Sequence, residues 1–345
     1  MARSGILGAA RSIWLKPCLI LTLGLTPPLM PDAQGQTEAT CARALKRLDG
    51  AIAARDREAL EREGFDIGGV PGCDPDVVRP KRRQAALILA ELARAAQGMT
   101  QGTVQGMETR ERYVKARRVA PVWPVVQGLA EAAHAERNWP DAAKLYSDLL
   151  VAMQDPERDD PPVPEAAALL AQQRASETQM LVPPETAPLP HTRAGAPGGL
   201  DAVLVPGAFR DLIPRPRLMP VTFESNGSQM TPAGRAFAER WWQSVRASVA
   251  SALVLAGHSD PRGNAARNEI LSLQRAAALG EFLRAKGFTG TITVAGYGPR
   301  CLKPFSPGSS YTAEEQWQIQ RRVEILANAA VPKEYCRGLK PTVEQ

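Results

Sequence analysis

Histidine is nearly absent. His134, His191 and His258 are the three in 345 residues and stand far apart, which argues against a histidine-built zinc centre. Aromatic residues are also scarce, at 5%. No apolar run in the body of the chain reaches the ~18 residues of a membrane span, which argues against a channel. No pair of carboxylates stands in a frame suited to glycan hydrolysis. Neither charge dominates, with 42 basic against 36 acidic residues, so nothing points to nucleic acid. Nothing asks for a cofactor or a metal. Proline and glycine, by contrast, are plentiful at 30 and 28, too many for one continuous helical bundle, so linkers are expected. The length suggests two domains.

The N-terminus reads as a targeting segment, residues 1–35. Arg3, Arg11 and Lys16 precede an apolar stretch, Cys18 to Leu25, and a polar end follows. This is the layout of a cleaved secretory signal, with Ala33 and Gly35 as the small residues before a cut at Gln36. Pro27 and Pro28 interrupt the stretch and oppose an uncleaved anchor. Removing the segment leaves 39 basic and 35 acidic residues. A small positive balance suits an anionic partner such as a wall polymer.

Four cysteines remain: Cys41, Cys73, Cys301 and Cys336. Export to an oxidising compartment and an even count favour disulfides. Three pairings are open. The expected one is local, Cys41–Cys73 and Cys301–Cys336, because it keeps each bridge inside one domain. Each closed loop would stabilise by roughly 3–4 kcal/mol in the chain-entropy account.

Residues 36–182 read as a helical domain. CARALKRLDGAIAARDREALERE places Ala44, Leu48 and Ala51 at helical spacing. Further helices are expected in KRRQAALILAELARAA, VWPVVQGLAEAAHAE, DAAKLYSDLLVAM and EAAALLAQQRASETQML. The third and fourth resemble one tetratricopeptide unit: Trp139, Ala142, Tyr146 and Leu149 fall at the signature positions of its second half. Ala130 and Val126 depart from the first half, and no second copy is visible.

Residues 183–217 read as a Pro/Gly-rich linker. From 218 to 345 strands alternate with helices: LMPVTF, then a helix capped by Thr231 with Pro232 first, then ALVLAGHSD, a long helix ended by Gly287, TITVAGYG, a short helix AEEQWQIQ and the strand RRVEILA. That order predicts an α/β sandwich.

Several spaced motifs here agree with one family. They are TFESNGSQMTPAG, GHSD, then Asn268, Leu271, Ser272, Arg275 and Ala276, then GYG at Gly296–Gly298, and RRVEI at Arg321–Ile325. Residues 215–330 thereby resemble the OmpA-like (outer-membrane protein A C-terminal) peptidoglycan-binding family. Gln320 departs from the family's usual Asn, and the cysteines flanking the last strand occur in only part of the family.

The residues support a ligand site on their own terms. Strand 252–258 delivers Asp260 to a strand-to-helix loop, where open α/β sheets hold ligands. Asn268, Ser272 and Arg275 share a helix face. A carboxylate and a guanidinium in one concave site suit a zwitterion. The resemblance implies that Asp260 takes the ammonium and Arg275 the carboxylate of diaminopimelate in the peptidoglycan stem peptide. It also implies support from Asn268, Arg321 and the Glu224–Asn226 segment, including Asn226. The Ser, His and Asp of GHSD are neighbours in a strand, where side chains alternate, so they do not make a triad. Trp241 and Trp242 are expected as packing.

The reading is an α+β two-domain protein, with a tetratricopeptide-like helical domain and an OmpA-like α/β sandwich. It is a periplasmic, outer-membrane-associated, non-catalytic binder of diaminopimelate-type peptidoglycan. The alternative is a scaffold that meets an envelope protein through its helical domain, with wall binding serving localisation.

Overall fold

The computed structural model describes residues 33–98, 103–154, 161–189, 217–247, 251–327, 336 and 342–344. The expected signal lies outside them, apart from residues 33–35, which open the first helix. Among the described residues no helix is long and apolar enough to cross a membrane.

The N-terminal domain holds seven α-helices among the described residues: α1 (Ala33–Ala54), α2 (Arg57–Asp66), α3 (Pro75–Gly98), α4 (Thr103–Val119), α5 (Trp123–Ala135), α6 (Trp139–Gln154) and α7 (Glu165–Met180). Each packs on its neighbour in sequence. The single long first helix expected from periodicity is in fact two. Arg55 takes a positive φ of 51°, and the Asp56 carboxylate then accepts from the backbone N–H of Glu58 and Ala59, starting α2 with its own cap. The shared core holds Leu48, Leu60, Leu89, Tyr113, Val125, Leu129, Tyr146 and Leu149. Cys41 on α1 is bonded to Cys73 ahead of α3, with the Cα atoms 5.2 Å apart.

Among the described residues the C-terminal domain holds a five-stranded sheet in the order β1-β4-β2-β3-β5. The strands are β1 (Arg217–Met219), β2 (Ala252–His258), β3 (Thr291–Gly298), β4 (Val323–Ala327) and β5 (Thr342–Glu344). β2 and β3 are parallel, and the other pairs are antiparallel. The helices α8 (Pro232–Val245) and α9 (Ala265–Ala285) bury Trp241, Leu279 and Leu283 with Leu253 and Leu255 of β2. Alternate residues Val254 and Ala256 join Tyr297 in a second cluster against Cys301 and Cys336. Those two cysteines are bonded, with Cα atoms 5.2 Å apart. A short helix, α10 (Ala313–Gln320), precedes β4 and starts with a capping box between Thr312 and Glu315.

The two domains meet through a buried polar seam. Glu177 of α7 is fully buried. One carboxylate oxygen accepts from Ser306 N–H at 3.0 Å and Gln173 Nε2 at 3.0 Å. The other accepts from the Ser306 hydroxyl at 2.7 Å and the Tyr311 hydroxyl at 3.0 Å. Because the Tyr311 proton points at Glu177, His134 Nε2 supplies the hydrogen in its 3.0 Å bond to the Tyr311 oxygen. Arg137 and Trp139 both donate to Glu315 of α10. The chain after α7 continues this docking. Val182 and Ala187 are buried in the same cluster as Trp241 and Leu253, and Arg240 of α8 donates to the carbonyl of Pro184 at 2.6 Å. The start of the expected linker is thus a packed strap, and residues 190–216 lie outside the described residues.

Candidate functional site

β2 ends at His258, and the next two residues turn over the end of the sheet, with Ser259 N–H donating to the carbonyl of Gly298. α9 lies close against this edge. A Cβ on Gly257 would stand 1.9 Å from the backbone oxygen of Ser272, so only glycine lets helix and strand approach this far. Ser272 itself locks the contact: it is buried, its hydroxyl donates to Glu269 O at 2.7 Å and accepts from Gly298 N–H at 2.9 Å. Ser272, which helical spacing puts on one face with Asn268 and Arg275, packs against β3 and does not line the cleft. The face that α9 turns to the cleft is Asn268, Leu271 and Arg275.

The cleft has a volume of about 760 Å³. Asp260, Arg275, Asn268, Arg321 and Asn226 all line it. Asp260 is 7% exposed. Its Oδ1 accepts from the Arg262 backbone N–H at 3.0 Å and from Arg262 Nε at 3.2 Å. Its Oδ2 accepts from Arg262 Nη2 at 3.1 Å and Arg321 Nη1 at 2.9 Å. Burial raises the Asp260 pKa, but the hydrogen bonds from Arg262 and Arg321 outweigh it and hold the group below its ordinary value. The Arg262 guanidinium stacks on Trp317, 3.9 Å from the ring centre. Arg321 also reaches Glu314, at 3.1 Å.

Arg275 is held differently. Its Nε donates to the carbonyl of Gly227 at 3.0 Å, its Nη2 stands 3.5 Å from the carbonyl of Glu224, and the guanidinium lies over Phe223. Among the described residues, no carboxylate comes within ion-pair distance of it. Burial, and then repulsion by Arg321, push its pKa below the ordinary arginine value. Asn226 adopts a positive φ of 57° in the turn that supplies those carbonyls. Asn268 Nδ2 donates to the Arg262 carbonyl at 2.6 Å and so braces the loop that carries Asp260.

The remaining residues of GHSD diverge. The His258 ring is buried, stacked on Tyr297 at 5.4 Å, and its pKa is pushed down to about 3, mainly by burial. The Ser259 hydroxyl donates to the backbone carbonyl of Asp260. Side chains of His258, Cys301 and Cys336 come within 4.8 Å of one another, but the two sulfurs are bonded together. Trp241 and Trp242 are buried in the core.

Sequence reasoning missed Arg262, Glu314 and Phe223. Arg262 was open to discovery, since it follows Asp260 by two residues in a turn where an Asp side chain caps the backbone. Met180, Val182 and Pro184, which also line the cleft, left no local signal.

Compared with curated proteins, the chain has no match. The family comparison is positive for one region. It covers the turn at Glu224–Gly227, Asp260 and the whole of α9, and stops before Arg321. Residues 222–316 match the OmpA family, so this chain carries an OmpA-family domain over those residues, in its C-terminal part.

Proposed function

We propose that this protein binds peptidoglycan non-covalently and without catalysis, in the envelope compartment to which its N-terminal segment exports it. The OmpA-family match supports peptidoglycan as the kind of partner. The specific ligand is the free zwitterionic end of diaminopimelate. Arg275 is the observation that carries this reading. A largely desolvated guanidinium that, among the described residues, bonds only to carbonyl oxygens keeps its full charge for an anion, and its fork matches a carboxylate.

Asp260 takes the ammonium. A carboxylate offers about four lone-pair positions, and Arg262 and Arg321 occupy all of them. The ammonium therefore displaces a resident cation. Arg262 is the one that yields, because its side chain is 49% exposed against 31% for Arg321. Trp317 and Glu314, 3.8 Å from Arg262 Nη1, receive it. The divergent His258, Ser259 and Asp260 side chains favour binding over hydrolysis.

Sedimentation of the full chain with purified diaminopimelate-type peptidoglycan tests the reading. Removing one partner of a desolvated charge pair costs ~2–5 kcal/mol, which is ~30-fold to several-thousand-fold in affinity. Asp260→Ala and Arg275→Ala should each leave the protein in the supernatant while circular dichroism stays unchanged. Arg275→Lys should recover little, and the distant Lys144→Ala should pellet like the parent. Co-sedimentation of both alanine variants would refute the site.

One feature favours the scaffold reading as a second role. A pocket of about 350 Å³ in the helical domain is lined by Arg79, Arg82, Arg83 and Arg118 over an apolar floor of Ile67, Val78 and Val119. Among the described residues Arg82 donates only to the carbonyls of Gly64 and Arg118, and burial lowers its pKa. Such a pocket suits an acidic partner. Crosslinking in intact cells should capture one protein with the parent and lose it with Arg82→Ala combined with Arg118→Ala.

A further inference from the structure

The cleft is not built by the OmpA-family region alone. Met180 ends α7 of the helical domain, Val182 and Pro184 follow it, and all three line the cleft beside Pro220, Val221 and Phe223. They lie well outside residues 222–316. The strap that bears them is fixed from several sides. Arg240 donates to the carbonyls of Pro184 and Ala187. Gln318 of α10 donates to the carbonyl of Met180 at 2.8 Å. Gln179 donates to the carbonyl of Pro188 at 2.7 Å, and the N–H groups of Thr186 and Ala187 both turn back to the Pro183 carbonyl. Val182 and Ala187 are 3% and 1% exposed. The strap is therefore fixed in place, and half-buried Pro184, backed by the buried Met180 and Val182, is where it opens onto the cleft.

The cleft thus has two chemistries. Asp260, Arg262, Arg275, Glu314 and Arg321 are charged; Met180, Val182, Pro184, Pro220 and Val221 are not. Its volume of about 760 Å³ is in the range of sites that enclose a ligand much larger than one amino acid. A free zwitterion would use the charged part and leave the apolar part wet.

We propose that Pro184, backed by the buried Met180 and Val182, forms an apolar subsite for the aliphatic and methyl groups of the stem peptide that carries the diaminopimelate end. The helical domain thereby contributes directly to wall recognition, and the ligand is read as a charged tip on an apolar peptide. The inference rests on the wall-binding reading above. α10 joins the two parts, because Gln318 ties the strap and Arg321, three residues on, ties Asp260.

Calorimetric titration of the full chain with two probes tests this. One probe is free meso-diaminopimelate, and the other is the stem tripeptide that ends in it. Each methyl or methylene buried against the strap should raise affinity about fourfold, so the parent should bind the tripeptide at least about tenfold more tightly. Pro184→Ser, and Arg240→Ala, which unties the strap from outside the cleft, should each remove most of that advantage. Both should leave the affinity for free diaminopimelate within about twofold, a difference below the scale of one buried methyl. Hydrogen exchange at residues 181–189 should slow with the tripeptide and stay unchanged with the free amino acid. Equal affinity of the parent for both probes, or strap variants that match the parent on both, would overturn the subsite while leaving the zwitterion site standing. Failure of the parent to bind either probe would overturn the wall-binding reading and the subsite with it.

Discussion

Glu177 and Arg275 are both charged and both largely withdrawn from water, yet the fold treats them in opposite ways. Glu177, in the seam between the domains, receives four hydrogen bonds from Ser306, Tyr311 and Gln173. Every lone-pair position of the carboxylate is met by a donor of the chain itself. Arg275, in the cleft, meets two carbonyl oxygens and, among the described residues, no anion. Burying a charge is costly unless it is paired. In the seam the pairing is complete and the result is a joint. In the cleft it is left open, and the cost is recovered when an anionic ligand arrives.

Breaking the seam should give the larger stability change. Glu177→Ala leaves the Tyr311 and Ser306 donors buried without acceptors, at ~1–3 kcal/mol for each unsatisfied group. With three such donors, chemical unfolding should show a loss of at least about 3 kcal/mol. Arg275→Ala, which orphans no buried donor, should shift the same curve by far less. A stability loss for Arg275→Ala equal to that of Glu177→Ala would erase the distinction drawn here.

Acid should attack the seam before the cleft. Burial, then the charges of Arg174 and Arg137, push the His134 pKa down to about 4. In the unfolded chain the ordinary value is ~6.5. Between those values the unfolded state binds a proton that the folded state refuses, so stability falls as pH drops through this window. His258, held down to about 3, acts in the same direction. From pH 7 to pH 5 the His134 contribution is on the order of 2 kcal/mol. His134→Gln, which keeps a donor for Tyr311, should flatten the decline. Asp260 behaves otherwise: its pKa lies below the usual carboxylate value, so it stays ionised across the same range. Wall binding measured at pH 5, on protein that is still folded, should match that at pH 7.

The smallest effect concerns the cation resident in the cleft. Arg262→Ala frees two lone-pair positions of Asp260 at a time when Arg321 still holds the carboxylate. Affinity for diaminopimelate should rise by a few-fold, on the order of one hydrogen bond no longer exchanged. A fall of tenfold or more would mean that Arg262 contacts the ligand and does not compete with it.

Much of the C-terminal domain was legible because its signals are local. The cap at Thr231, the strand over 252–258, the stop at Gly287 and the helix over 313–320 each depend on a few adjacent residues. The N-terminal domain was harder to read. α4 escaped notice because it is strongly polar and buries only a narrow stripe, with Tyr113, Ala116 and Val119 fully in the core. β5 is a three-residue edge strand that pairs with β3 after a long excursion. The break after α1 uses Arg55, with neither proline nor glycine to announce it. In the cleft, Asp260 and Arg275 could be named through the family resemblance together with their places on a strand-to-helix loop and a helix face, whereas the contact made by Ser272 was not legible. Helical periodicity puts Ser272 near that face, but the close approach permitted by Gly257 turns its hydroxyl into a link to Gly298. The contribution of Met180, Val182 and Pro184 depends on how two domains dock, and no window of sequence contains that information.

The central claim is that the open guanidinium of Arg275 awaits the carboxylate of a zwitterion. Titration of the full chain with the stem tripeptide, and with the same tripeptide amidated at the free carboxylate of its diaminopimelate end, tests it most directly. Amidation removes the anion and leaves shape and ammonium in place. The account predicts a loss of at least about 30-fold in the parent, and no further loss when Arg275 is replaced by alanine. Equal binding of the two peptides by the parent would contradict it.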